Sequence, residues 1–336
     1  MPPPPPPIRL RLLTALLVIS GCAGPFPQST LQPRSDFARA TDELFGEIFW
    51  WAVAVFLIVE ILLVVVLVRF RHREGRPTPK PTHGHTIMEI AWTLAPAVIL
   101  VFVAVPTVRT IFTTAGDAPA DALKVEVIGH QWWWEYKYPD LGIVTADEMH
   151  VPVGKPVQVA ITSADVIHSF WAPALGGKRD AIPGRVNRIA FRADSVGDYS
   201  GQCAEFCGAS HANMRLHVVV QTDAAFQAWV QGQKEAPAVP VKGSLAEQGR
   251  VVYGRSACIG CHTIQAVSPG IIGPNLTHVG SRATLAGGIL PNDSAHLASW
   301  IADAPALKPG SIMTRMKPPL SDGDIAALVA YLESLK

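Results

Sequence analysis

The residues with the most chemistry to offer lie in two short segments. The first is Cys203-Ala-Glu-Phe-Cys207-Gly-Ala-Ser-His211-Ala-Asn-Met214, which has a further imidazole, His168, upstream of it. Two thiolates, two imidazoles and a thioether form a soft donor set that suits copper. A mononuclear blue-copper centre takes one Cys, two His and a weak axial Met, so a second Cys four residues on is one too many. Two bridging thiolates can instead hold two coppers. Each metal would then take one His, with Met214 a weak ligand to one and a main-chain carbonyl of the Cys203 to Cys207 loop serving the other. A Cys203 to Cys207 disulfide would leave His168, His211 and Met214 without a role. Zinc on two Cys and two His would leave Met214 without one.

The second segment is Cys258-Ile-Gly-Cys261-His262, the spacing for covalent attachment of a c-type haem. Both thiols bond to the porphyrin, and the imidazole occupies one axial position on iron. A thioredoxin-like redox pair has the same Cys spacing but needs a surrounding βαβ pattern, and none is present. The second axial ligand belongs downstream, where Lys308-Pro-Gly-Ser-Ile-Met313-Thr-Arg-Met316 carries two thioethers of comparable chemistry.

The elements that must position these groups can be read from periodicity. Residues 120–222 contain short β-rich runs at Lys124 to Ile128, Val157 to Ile161, Arg188 to Phe191 and Leu216 to Val220, separated by Pro and Gly turns. They predict an all-β Greek-key sandwich or barrel around the Cys203 cluster. Residues 223–243 turn to Ala, Gln, Pro, Lys and Val without apolar periodicity and are expected to be a linker, ending in a semi-rigid tether from Glu235 to Gly243. Residues 244–336 predict a small all-α domain. Ser321 and Asp324 form a capping box, followed by Ile325, Leu328, Val329 and Leu332 on one helical face. A first helix from Leu245 to Ala257 would cross this last one near Gly249 and Tyr253.

Hydropathy and loop charge place both domains outside the cytoplasm. With 28 Lys+Arg against 27 Asp+Glu the formal net charge is +1, which carries no basic excess for nucleic acid. Only 16% of residues are charged and the mean hydropathy is +0.25, so membrane spans are expected. Arg9 and Arg11 precede the apolar run Leu12 to Ile19, and Ile19-Ser-Gly-Cys22 resembles a bacterial lipobox. Residues 1–21 are therefore expected to be a lipoprotein-type signal peptide, with Cys22 lipidated and 22–45 a periplasmic segment. Residues 46–70 and 88–112 are apolar enough to span a bilayer. The Arg-rich loop 71–87 between them stays cytoplasmic, which returns the chain to the outer side. Glu60, in mid-span, suits a polar contact to a neighbouring helix. Glu89 suits the positive end of a helix.

From about Phe37 to Val220 the chain resembles subunit II of the haem-copper cytochrome c oxidases, whose cupredoxin domain carries the dinuclear copper A centre. Beyond the Cys203 cluster, the resemblance rests on Gly129-His-Gln-Trp132-Trp133-Trp134-Glu-Tyr136, on His168-Ser-Phe-Trp171 and on Arg179-Asp180-Ala-Ile-Pro-Gly-Arg185. A Trp at position 133 departs from the family's common Tyr. The resemblance implies copper A ligation by His168, Cys203, the Glu205 carbonyl, Cys207, His211 and Met214. It also implies arrival of electrons through Trp132, and a magnesium site shared with subunit I that involves the Glu205 carboxylate, with Asp180 at the same interface. Glu89 matches an acid at the mouth of a proton path.

The C-terminal domain resembles small bacterial class I cytochromes c, which implies Met313 as the axial ligand and Met316 as a packing residue. The whole chain thus resembles subunit II of the caa-type oxidases, a multidomain protein anchored by a two-helix hairpin in the bacterial inner membrane. Its implied partners are subunits I and III and an upstream cytochrome c. The implied activity is relay of electrons through haem c and copper A, to reduce oxygen to water with proton pumping. A nitric oxide reductase subunit has a similar copper motif, but the Trp132 and Asp180 segments favour oxidase. Nitrous oxide reductase needs a His-rich catalytic domain that the sequence lacks. A membrane-tethered copper or redox carrier would be isolated without a catalytic partner.

Overall fold

The computed structural model describes residues 26–336 apart from 73, 76–80, 82, 117 and 314–318. The expected signal peptide, Cys22, Met316 and much of the Arg-rich loop lie outside the described residues.

Two long helices come first, α1 over Asp36–Arg69 and α2 over Thr86–Thr114. Both are apolar and largely exposed along their lengths, as a membrane hairpin requires. Trp51 of α1 stacks on Phe102 of α2 with ring centroids 5.5 Å apart. Glu60 sits half-buried in α1, and the interruptions at Pro96 and Pro106 fall inside α2.

The first helix begins ten residues before the expected start at 46, because its first turns have a protein partner rather than lipid. Ser35 caps them, accepting from the Ala38 N–H at 3.0 Å and donating to the Leu175 carbonyl at 2.6 Å. Asp36 accepts from the Arg192 amide at 2.8 Å, and Arg39 pairs with Asp194. With 34 residues at about 1.5 Å each, α1 exceeds a hydrocarbon core about 30 Å thick, so its N-terminal end stands clear of the membrane on the β domain.

That domain is a sandwich of two five-stranded sheets. One has the order β3 (Ile143–Ala146), β2 (Trp133–Tyr138), β1 (Leu123–His130), β5 (Pro156–Ser163), β8 (Asn187–Arg192). The other runs β4 (Glu148–Pro152), β10 (Arg215–Gln221), β9 (Gly197–Cys203), β6 (His168–Trp171), β7 (Arg179–Ala181). Burial alternates along β1 and β5, which is the period of a strand with one face in the core. The core includes Val125, Val127, Trp134, Tyr136, Val159, Ile161 and Leu216.

Contrary to the linker expected over 223–243, residues Asp223–Lys234 form a helix, α3. Thr222 caps it, and Phe226, Trp229 and Val230, at helical spacing, pack on the sandwich. His150 stacks on Trp229 with centroids 4.4 Å apart. The run is too short and too interrupted by Gln for the periodicity to stand out, yet three side chains suffice to dock one turn after another. The tether proper is confined to 235–243.

The C-terminal domain contains α4 (Leu245–Arg255), α5 (Cys258–Cys261), α6 (Ser294–Leu307) and α7 (Asp322–Ser334). α4 crosses α7 at Gly249, where a Cβ would strike the Ala327 carbonyl, and Tyr253 meets Tyr331 edge-on at 5.8 Å. Ser321 and Asp324 form the capping box of α7.

Because Phe226 is 3% exposed in the sandwich core, Phe226→Ala should destabilise the β domain by about 3–5 kcal/mol. Denaturant unfolding monitored by Trp fluorescence would measure this. A segment acting only as a linker would give no change.

Candidate functional site

The soft donors of the β domain converge between two neighbouring strands. β6 supplies His168 at its start and β9 ends at Cys203, with Phe170 paired to Cys203 across the ladder. The loop from β9 to β10 then wraps back over the site. The Cys203 and Cys207 sulfurs are 3.8 Å apart and both thiols are free. His168 Nδ1 lies 3.9 Å from the Cys203 sulfur, and His211 Nδ1 lies 3.5 Å from that of Cys207. Met214 Sδ is 3.9 Å from the Cys207 sulfur, and the Glu205 carbonyl is 3.2 Å from that of Cys203. The donor atoms of His168, Cys203 and Cys207 all fall within 4.8 Å of one another. Each sulfur thus faces one imidazole, and one flank carries a thioether and the other a carbonyl.

The surroundings prepare these groups for a cation. His168, Cys203, Cys207 and Met214 are buried and His211 is partly so. The contact between the two thiols holds that of Cys203 down to about 4 and, with burial, pushes that of Cys207 up. Burial works against protonation of His168, but bonds to Cys203 and Asp165 outweigh it and raise its pKa. His168 Nε2 is bonded to Asp165 at 2.7 Å, which orients the ring and leaves Nδ1 facing the sulfurs. Gly129 is required here, since a Cβ would lie 2.7 Å from the His168 ring.

Sequence reasoning missed Asp165 and the role of Gly129. An acid three residues before a ligand histidine was a usable signal, whereas the contact with Gly129 spans two sheets. Glu205 presents its side chain to solvent, as does Asp180 on β7, opposite Ser169. Glu89 lies in the first turn of α2, but His85 takes the N-cap position, accepting from the Met88 amide at 3.4 Å. α2 separates Glu89 from the β domain by on the order of 40 Å.

In the C-terminal domain, Cys258, Cys261 and His262 line a cavity of about 240 Å³ together with Met313 and Tyr253. His262 Nδ1 donates to the Pro274 carbonyl at 2.8 Å, which fixes the tautomer and leaves Nε2 for a metal. Burial lowers the His262 pKa, which favours the neutral imidazole that ligation needs. Gly273 approaches so closely that a Cβ would lie 2.5 Å from the His262 ring. The thiol spacing, the oriented imidazole and the largely apolar lining of the cavity fit a covalent haem.

The two sites meet at Trp132. Its ring lines the haem-domain cavity, and its Nε1 donates to the Cys207 carbonyl at 3.0 Å. Gln131 Nε2 donates to the same carbonyl at 2.7 Å.

Comparison with known proteins agrees with this division. The family model for the transmembrane domain of cytochrome c oxidase subunit II matches residues 28–110, that for its periplasmic domain matches 143–222, and cytochrome c matches 246–336. Cytochrome c oxidase subunit 2 of Alkalihalophilus pseudofirmus is 36% identical over 327 residues, covering 95% of this chain and 94% of the relative. The subunit 2 of Bacillus subtilis is 35% identical over 350 residues, covering 98% of each. The crystal structure of the periplasmic domain of subunit II from Bradyrhizobium japonicum is 40% identical, covers 34% of this chain and 96% of that one, and superposes with a TM-score of 0.34. The chain belongs to the cytochrome c oxidase subunit II family, with a cytochrome c domain fused behind the copper domain as in caa-type oxidases, and so forms one subunit of an oxidoreductase complex.

Proposed function

We propose that this chain relays electrons from a haem c held by Cys258, Cys261, His262 and Met313, through Trp132, to two coppers held by His168, Cys203, Glu205, Cys207, His211 and Met214. From there they pass to subunit I, for reduction of oxygen to water coupled to proton pumping. The observation that carries this reading is the double placement of Trp132, in the wall of the haem cavity and one hydrogen bond from Cys207. When bound, the two groups would supply one-electron redox chemistry.

The protein's part is geometry and exclusion of water. Cys203, Cys207, His168, His211, Met214 and the Glu205 carbonyl would hold the copper pair, the thiolates and imidazoles as strong donors and the thioether and carbonyl as weak ones. Asp165 holds the His168 ring in place from behind, so this ligand needs little rearrangement when the charge changes. His262 is held by Pro274, and Met313 supplies a thioether that favours a high haem potential.

The exposed side of the copper loop carries Glu205 and Phe206, which is 77% exposed, and we assign this side to subunit I. The Glu205 carboxylate would contribute to a magnesium site there, with Asp180 nearby. Glu89 would stand at the mouth of a proton path, on the opposite membrane face. Subunit III completes the assembly in the bacterial inner membrane, with soluble cytochrome c as the upstream donor.

Injection of one electron into the haem of the metal-loaded chain should reduce copper within the same molecule. Trp132→Phe should slow that transfer by about tenfold or more, because the Nε1 link to Cys207 is lost, and should leave both metal spectra intact, because Gln131 still ties the Cys207 carbonyl. Copper reduction at the wild-type rate would remove Trp132 from the route, and no transfer in the wild type would overturn the relay. Asp165→Ala should weaken copper retention by about 10–100-fold, measured by competition with a copper chelator. Met313→Ala should abolish the low-spin Met/His haem spectrum while Met316→Ala leaves it. The reverse result would assign the ligand to Met316.

A further inference from the structure

Lys308 is 4% exposed and sits in the seam between the two extramembrane domains. Its ammonium donates to the Trp132 carbonyl at 2.5 Å and to the Ala286 carbonyl at 2.6 Å. A buried ammonium is costly without an opposite charge, and Asp147, 4% exposed, supplies it from the β domain. Asp147 also accepts from the Trp134 amide at 3.1 Å and from the Gly287 amide at 3.2 Å. Beside it, one Glu148 oxygen accepts from the Ala283 amide at 2.8 Å, the Thr284 amide at 2.7 Å and the Thr284 hydroxyl at 2.9 Å. The Arg215 amide donates to the Gly287 carbonyl at 2.9 Å, and the Ser210 hydroxyl to the Pro309 carbonyl at 2.6 Å.

The backbone on the haem-domain side is shaped for this contact. Gly287 and Gly310 have φ values of +75° and +83°. A Cβ at Gly287 would strike the Lys308 ammonium, and one at Gly310 would lie 2.6 Å from the Trp132 ring. None of these residues is among the donors to copper or the attachment and axial residues of the haem, although Lys308, Asp147 and Gly287 also line the haem cavity. They join 283–310 to 132–215 with directed bonds, many of them to main-chain atoms.

We propose that Lys308, Asp147 and Glu148 form a lock that holds the haem domain on the copper domain as one body, and that Lys308 is the positioning residue that fixes Trp132 between the two centres. This rests on the reading of Trp132 as the relay, and deepens it. A domain swinging on the 235–243 tether would visit Trp132 at an effective concentration set by tether length. A locked domain keeps one geometry whatever the tether. The face of Trp132 is then occupied by the chain's own domain, and a soluble donor must approach the haem domain elsewhere.

Hydrogen exchange followed by mass spectrometry on the full chain in detergent tests the lock directly, with readouts at Arg215, Ala283, Thr284 and Gly287. In the wild type these amides should be protected, and lengthening the tether by about ten Gly and Ser residues should leave the protection unchanged. Lys308→Met should speed exchange at these amides and at 132–134 by about tenfold or more, with α7 unaffected. Should Lys308→Met also loosen α7, Glu148→Ala supplies the same comparison from the other side of the seam. Unprotected seam amides in the wild type, protection that falls as the tether grows, or no change in either variant would overturn the lock. Failure of the relay itself would look different, as a protected seam with no haem-to-copper transfer.

Discussion

The Cys207 carbonyl is the point on which the site depends. It accepts from Gln131 Nε2 and Trp132 Nε1, and so ties the loop that carries the two thiols to the aromatic segment between β1 and β2. Apart from a single 3-10 turn at His211–Asn213 the loop has no regular structure of its own to hold it, and its donors are useful only at fixed separations. Two directed bonds onto one main-chain oxygen supply that constraint. Through Trp132 they also connect the copper loop to the wall of the haem cavity.

Other features follow from keeping these groups fixed and dry. β6 and β9 bring His168 to Cys203 although they lie 35 residues apart, and Asp165 holds the ring from behind. Close approaches at Gly129 and Gly273 set the two histidine rings, one in each domain. Asp147 shows the expense of the arrangement. Burial raises its pKa, while Lys308 and the amides of Trp134 and Gly287 oppose that rise. At Glu148 burial is likewise unfavourable, but the bonds from His150 and Thr284 prevail and its pKa is lowered. An ionised group in such a place is stabilising only while its partners stay, which is why both acids are tied to backbone amides of the facing domain.

Much of the site was legible in the sequence because its donors are local and chemically distinctive. Cys203, Cys207, His211 and Met214 lie within one loop, and Cys258, Cys261 and His262 within one helical turn and its end. His168 was found by chemistry rather than by distance. The folds of both domains followed from period-2 and period-3.6 patterns, but short strands such as β6 and β7 show no usable alternation. α3 escaped notice because only Phe226, Trp229 and Val230 mark its buried face, and α1 was cut short because its first ten residues are polar enough to resemble a loop. The interdomain seam was invisible. Its interdomain bonds join residues from 72 to 176 positions apart, and Asp147, Glu148 and Lys308 look like ordinary surface charges until the domains are docked.

The central claim is that one polypeptide holds a dinuclear copper centre beside a covalent haem. It is tested most directly by metal analysis with electron paramagnetic resonance on the full chain matured with copper and haem. The account predicts two coppers and one haem per chain, with one unpaired electron shared equally by both coppers. A single-copper signal, or a Cys203 to Cys207 disulfide with haem alone, would contradict it.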